Sequence, residues 1–196
     1  MSFVNNYTKE INCKIVFYGP ALGGKTTCIK YIYNQTSGDT KNNLVSLDTD
    51  QERTLFFDFL PLHLGQIRGF KTRFHLYTVP GQSFYESSRK LILRGVDGII
   101  FVADSQIDKM EDNLESLRDL ENNLEEEGYE LSKMPMVFMW NKRDLPNIVS
   151  TIDLNSKLNK YDRPSVETTA VNGQGVFNGL KLISKHVLLN VRGNFK

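Results

Sequence analysis

The chain has 196 residues, 40% of them apolar and 24% charged, which is enough to build one core and excludes a disordered polymer. Lys and Arg number 24 against 23 Asp and Glu, a net charge of +1, so overall charge makes no case for nucleic acid or an anionic membrane as partner. The balance is uneven: residues 108–130 hold ten acidic side chains and two basic, a net of −8, and the remainder carries +9. Only Cys13 and Cys28 occur, which implies no disulfide framework and a reducing compartment. The amino terminus has neither the apolar run of a signal peptide nor a Met-Gly start, and the carboxyl end has no prenylation box. No run approaches the ~20 apolar residues that span a bilayer. We expect a single domain over residues 1–196, cytoplasmic and without a membrane anchor of its own.

In chain order, apolar strands alternate with amphipathic helices, the mark of an α/β fold. Residues 11–18 form a nearly all-apolar run closed by Gly-Pro, suited to a buried strand, and a helix is predicted over residues 25–35. Residues 55–64 and 70–79 are strand candidates separated by 65–69, a hairpin, with Phe74, Leu76 and Thr78 on one side and His75, Tyr77 and Val79 on the other. A helix over 83–94 stops at Gly95. Residues 98–103 and 136–140 are continuous apolar runs of the buried parallel type. Between them Ile107, Met110, Leu114, Leu117, Leu120 and Leu124 recur at steps of three and four, one stripe of a long helix. Its acidic residues read as a solvated outer face. A last strand over 165–169 and a last helix over 174–191 complete a six-stranded, mostly parallel sheet with helices on both faces. Ligands of such sheets sit outside the carboxyl ends of the strands.

Gly19-Pro-Ala-Leu-Gly-Gly24-Lys25-Thr26 stands at one such end and satisfies the phosphate-loop pattern. Its glycines let successive N–H groups turn inward around phosphate oxygens, and the following helix adds its positive end. Lys25 would neutralise the outer phosphates and the Thr26 hydroxyl would ligate Mg²⁺. The loop specifies a nucleoside triphosphate, but no base.

Asn141-Lys142-Arg143-Asp144 follows the 136–140 strand directly, at the same sheet edge. A carboxylate there accepts two hydrogen bonds from guanine, at its ring N–H and its amino group. Adenine offers an acceptor where guanine has the ring donor, and an unsatisfied buried partner costs roughly 1–3 kcal/mol. Glu167-Thr168-Thr169-Ala170 closes the last strand, where the Ala170 N–H would meet the guanine carbonyl.

These motifs make the chain resemble a Ras-like small GTPase over residues 11–191. Gly19–Thr27, the 53–61 run Arg-Thr-Leu-Phe-Phe-Asp-Phe-Leu-Pro and the 78–82 run Thr-Val-Pro-Gly-Gln resemble most closely the MglA group of bacterial small GTPases, regulators of cell polarity and motility. The resemblance implies a switch that binds GTP or GDP with Mg²⁺ and hydrolyses GTP slowly unless stimulated. Nucleotide would be held by Gly19, Pro20, Ala21, Leu22, Gly23, Gly24, Lys25, Thr26 and Thr27. Gly81, then Asn141, Lys142 and Asp144, then Thr169, Ala170 and Val171 would complete the site. Gln82 would orient the attacking water, Arg53 would act as an arginine finger within the chain, and Thr54 would reach Mg²⁺ and the γ-phosphate. Implied partners are a roadblock-type, MglB-like GTPase-activating protein, an exchange factor and GTP-dependent effectors, with recruitment to a cell pole through them.

Two departures bear on this. Thr78 stands where Ras-like proteins carry a metal-supporting aspartate, a change the MglA group shares, and weakens support for Mg²⁺. Ala21 replaces a glycine, and its methyl would crowd the γ-phosphate region against an arginine from another protein. Together they leave open a GTP-dependent scaffold with negligible hydrolysis. A phosphate-loop kinase lacks an acceptor site and lid, and an ATPase is disfavoured by Asp144. His63, His75 and His186 lack companion ligands and are expected to be ordinary surface residues.

Overall fold

The computed structural model describes residues 3–5, 7–36, 45–48, 54–67, 69–80 and 86–193. Its centre is set by two runs with no polar interruption, β6 (Gly98–Asp104) and β7 (Met136–Asn141), both buried along their whole length. Only a strand covered on both faces has use for such a run. Around them lie β1 (Phe3–Asn5), β2 (Glu10–Tyr18), β3 (Val45–Asp48), β4 (Thr54–Ile67), β5 (Phe70–Thr78) and β8 (Ser165–Glu167). The helices are α1 (Lys25–Gln35), α2 (Glu86–Leu93), α3 (Met110–Glu126), α4 (Thr151–Leu158) and α5 (Val176–Gly193).

The strand order is β3-β4-β5-β2-β6-β7-β8, with β1 also paired to β2. Among the described residues the expected six strands are corrected to eight. Five of the six expected, β5, β2, β6, β7 and β8, form one parallel array. The sixth, β4, is antiparallel to β5 and makes the expected hairpin, turning through Gly69 at φ 81°. The two unforeseen strands are short and antiparallel. β1 pairs with residues 10–12 of β2, while β6 takes residues 15–18. β3 accompanies β4 only as far as Phe59.

Alternation along β2 and β5 sends Cys13, Ile15, Phe17, Phe74 and Leu76 to one face, where α1 and α5 cover them with Cys28, Ile29, Ile32, Leu180, Ile183 and Val187. Val16 and Tyr18 go to the other, under Ile92 and Leu93 of α2, Leu120 and Leu124 of α3, and Leu154 and Leu158 of α4. Helix α4 has no long apolar stripe and is not foreseen. Its amino end is fixed locally: Ser150 Oγ accepts the Asp153 N–H at 3.1 Å and donates to the Asp153 carboxylate at 2.6 Å, a cap that satisfies one orphan donor of the first turn. The apolar stripe of α3 begins later than expected. Ile107 falls in a turn of 3-10 helix, Ile107–Lys109, and is 61% exposed.

The acidic segment is more than a solvated face. Across α2, Asp119 meets Arg89 at 2.9 Å, Glu126 meets Lys90 at 2.7 Å and Glu127 meets Arg94 at 3.2 Å, while Glu121 takes Lys160 beyond α4 at 2.6 Å. Among the described residues no helix is long and apolar enough to cross a membrane.

Candidate functional site

Parallel strands bring their carboxyl ends to one edge, and the loops there hold most of the residues singled out from sequence. The phosphate loop leaves β2 and runs into α1 at Lys25, as predicted. It closes on itself through Gly23 N–H to Pro20 O at 3.2 Å. Two of its glycines are required by contact: a Cβ at Gly19 would stand 2.2 Å from Val102 O, and one at Gly24 would stand 2.1 Å from Asn141 Nδ2, both at positive φ. Leu22 holds φ 59° without being glycine, and its side chain is exposed. Gly24 caps α1 and supplies no side-chain acceptor, so the positive end of the helix faces the loop without a carboxylate of its own. Lys25 is buried, and its ammonium donates to Gly19 O at 2.9 Å and Pro20 O at 2.7 Å. This arrangement fits a polyphosphate: a backbone cradle, a helix amino end and a confined cation.

Asn141 closes β7 and is buried. Its Nδ2 donates to Gly23 O at 2.8 Å, and its Oδ1 accepts the Ala170 N–H at 3.0 Å and the Thr168 hydroxyl at 3.2 Å. One amide thus ties the phosphate loop to the loop after β8. Lys142 has φ 64° and places its ammonium 2.6 Å from the Asp104 carboxylate. Arg143 turns away from the site, to Glu167 Oε2 at 3.0 Å and Val149 O at 2.7 Å. Asp144 stands exposed in the turn. The last strand stops at Glu167, short of the predicted residue 169. Thr168 N–H bonds to Trp140 O at 2.8 Å and Thr169 N–H to Gln174 O at 3.0 Å, which folds Thr169, Ala170 and Val171 into a loop. Thr169 and Ala170 are buried and Val171 is exposed.

Thr78 ends β5, fully buried, opposite Phe17 of β2 and on the face that carries α1. Thr26 and Thr27 lie half-buried in the first turn of α1, and Ala21 is exposed. Thr54 opens β4, its backbone paired to Asp48. Arg53, Gly81 and Gln82 lie outside the described residues. Among the described residues no three His, Cys, Asp or Glu side chains gather into a metal site. His75 pairs with Asn12 Oδ1 at 2.9 Å.

Sequence reasoning missed two groups beside these loops. Asp104 was visible only as the one charged residue closing an apolar strand. Tyr18, the residue before the phosphate loop, donates its hydroxyl to Asp119 and accepts from Asn123 Nδ2 at 3.1 Å. Burial and the Asp119 charge push its pKa up, so the phenol stays a donor. Asp119 in turn binds the buried Arg89 of α2, which links the root of the loop to the helix after residues 81–85.

A phosphate loop between strand and helix, joined by one asparagine to the loop after β8 on this sheet, is the arrangement expected of a small GTPase. The chain matches the ADP-ribosylation factor family over residues 1–187 and belongs to it; it is accordingly a guanine-nucleotide-binding GTPase. Over 192 residues, 98% of this chain and 98% of the relative, it is 59% identical to the Mutual gliding-motility protein MglA of Myxococcus xanthus (strain DK1622). It is 25% identical over 194 residues to ADP-ribosylation factor-like protein 4A of Homo sapiens, covering 95% of this chain and 89% of that one.

Proposed function

We infer that the chain is a GTP-driven switch built as one domain over residues 1–196, and that the process it governs is cell motility and polarity, in keeping with its 59% identity to a protein named for gliding motility. The observation that carries the reading is Asn141, whose single amide holds Gly23 of the phosphate loop and Ala170 of the base loop. Phosphate and base elements are thereby one preorganised unit, and orientation is most of what phosphoryl transfer requires of a protein.

In this reading Gly19 to Thr27 cradle the phosphates, Lys25 faces their charge, and Asp144 reads guanine beside Asn141, Lys142, Thr169, Ala170 and Val171. Thr26 and Thr54 would hold Mg²⁺, which would supply positive charge to offset that of the phosphates. Gln82 orients water, Arg53 meets the charge that develops in transfer, and Gly81 offers its N–H to the γ-phosphate. With Thr78 in place of a carboxylate, unaided hydrolysis is slow, and a roadblock-type, MglB-like activator accelerates it. An exchange factor and GTP-dependent effectors complete the cycle in the cytoplasm, with recruitment to a cell pole through them.

The test is base preference followed by turnover. Asp144→Asn shifts preference from guanine toward xanthine nucleotides by about tenfold or more, read as dissociation constants for GDP and XDP; unchanged GDP affinity overturns the base-reading role. Gln82→Leu abolishes activator-stimulated phosphate release while GTP binding persists. Wild-type protein that shows no multiple turnover even with such an activator would instead be a GTP-dependent scaffold.

A further inference from the structure

The loop after β8 is a closed turn. Thr169 N–H bonds to Gln174 O at 3.0 Å and Gly173 N–H to Thr169 O at 2.9 Å, which leaves residues 170–173 as its tip. The tip is held from two sides. On the inner side Asn141 Oδ1 accepts the Ala170 N–H at 3.0 Å. On the outer side the half-buried ring of Tyr31, in the second turn of α1, lies against Gly173. A Cβ at Gly173 would stand 1.7 Å from Tyr31 Cζ and 2.1 Å from Tyr31 Cε1, at φ 82°. The ring thus occupies the space that any side chain at this position would need, and only glycine leaves it there. Phe177, in the first turn of α5, meets the same ring edge-on, with centroids 6.1 Å apart.

A bound purine treats the two holds differently. In the base-site reading its carbonyl takes the Ala170 N–H. One N–H makes one strong hydrogen bond, so the donor is drawn away from Asn141. The seat of Tyr31 on Gly173 involves no hydrogen bond that a nucleotide competes for, so it persists. Tyr31 also stands on the helix whose amino end is the phosphate cradle, six residues after Lys25 and so about 9 Å along the axis. A helix of fixed rise makes that separation a ruler between phosphates and base loop. We propose that Tyr31 is a positioning residue whose ring, seated on Gly173, sets the loop where the Ala170 N–H meets the oxygen on C6 of the purine. This rests on the base-site reading above and deepens it. The division of labour is specific: Asp144 reads the ring N–H and the amino group, whereas Tyr31 acts through the loop on C6 alone.

The experiment measures dissociation constants of GDP, IDP and 6-thio-GDP for the full chain. IDP keeps the C6 oxygen and lacks the amino group. In 6-thio-GDP the ring N–H and amino group remain and sulfur, a weaker acceptor, replaces the oxygen. Wild-type protein is expected to prefer GDP to 6-thio-GDP. Tyr31→Ala weakens GDP and IDP by the same factor, about tenfold, the size of one hydrogen bond, and weakens 6-thio-GDP less, so the preference for oxygen over sulfur shrinks. Tyr31→Phe, which keeps the ring, restores both affinity and preference. The proposal is overturned if Tyr31→Ala weakens all three alike, as a merely structural role would, or leaves all three unchanged, or if Tyr31→Phe restores nothing. It is also overturned if the wild-type protein binds GDP and 6-thio-GDP equally. In each case the base-site reading still stands provided Asp144→Asn lowers GDP affinity. If Asp144→Asn has no effect either, the base-site reading fails and takes this inference with it. Should Tyr31→Ala not accumulate as folded protein, Gly173→Ala, whose methyl displaces the ring, is measured on the same three nucleotides with the same expectations.

Discussion

On the face of the sheet under α1 and α5 the packed layer is mostly apolar, with Thr72 and Thr78 of β5 buried at its margin. Aliphatic side chains from four strands meet Ile29, Ile32, Ile183 and Val187, and both cysteines lie among them. On the face under α2, α3 and α4 an apolar layer is also present, but a second set of ties overlies it: Tyr18, Asp119, Arg89 and Asn123, and the outer pairs of Lys90 and Arg94 with α3. The phosphate loop enters α1 and the loop after β8 enters α5, so both loops stand on close-packed hydrocarbon, which deforms little. Helix α2, which follows residues 81–85, is joined to α3 by the buried Arg89–Asp119 pair and by the outer Lys90–Glu126 pair, where the cost of desolvating the ions offsets much of their attraction.

Emptying the apolar face is the most damaging change. Ile183→Ala, fully buried on α5, is expected to cost about 3 kcal/mol in urea unfolding, since the cavity adds to the lost transfer energy. A loss below about 1 kcal/mol would mean that this face collapses easily and is not the stiffer one. Next comes the polar joint. Arg89→Met leaves Asp119 without its cation and is expected to cost about 2 kcal/mol. The double variant Arg89→Met with Asp119→Leu recovers most of that loss, because removing both charges also removes the cost of desolvating them. Failure to recover would show that the pair contributes net stability, against the comparison.

A third test is one of pH, and it separates the faces chemically. Burial pushes both thiols on the apolar face up, from 9.0 to about 12, with the charge of Asp97 adding to the shift at Cys13. The folded chain therefore holds these protons more tightly than the unfolded one. Their contribution is full below pH 9.0 and is lost as pH rises toward 12. Unfolding midpoints measured between pH 8 and 11 should fall, and Cys13→Ala with Cys28→Ala should flatten the slope. Tyr18, raised by burial and by Asp119, supplies the opposite face's share at higher pH and survives that double variant. A slope unchanged by removing the thiols would place its origin elsewhere.

The parts of the molecule legible in the sequence are those written locally. Continuous apolar runs announced β6 and β7, a strand-loop-helix motif fixed α1 at Lys25, and the turn after β7 fell where its residues suggested. What escaped is either too short to show a period or joined across distance. The strands β1 and β3 span three and four residues. Helix α4 buries only Leu154 and Leu158, although the Ser150 to Asp153 spacing was a start signal in plain view. The acidic excess of α3 was countable, but nothing in its spacing said that Arg89, Lys90 and Arg94 would meet it. Likewise Lys142 was placed by its motif, whereas its partner Asp104 lies 38 residues earlier in a strand whose pattern spoke only of burial.

One feature of the hairpin bears on how the chain behaves in a crowd. Strand β4 runs fourteen residues, and β3 accompanies it no farther than Phe59. Beyond that point, among the described residues, only β5 pairs with it, so the outer margin of β4 is a rail of backbone groups on which a foreign strand could extend the sheet. Pro61 sits on that rail, opposite His75, and a proline has no N–H to offer an incoming strand. The interruption falls two residues past the end of β3's cover. It lets the protein carry a long margin strand while resisting edge-to-edge growth and the fibrous aggregates that follow from it.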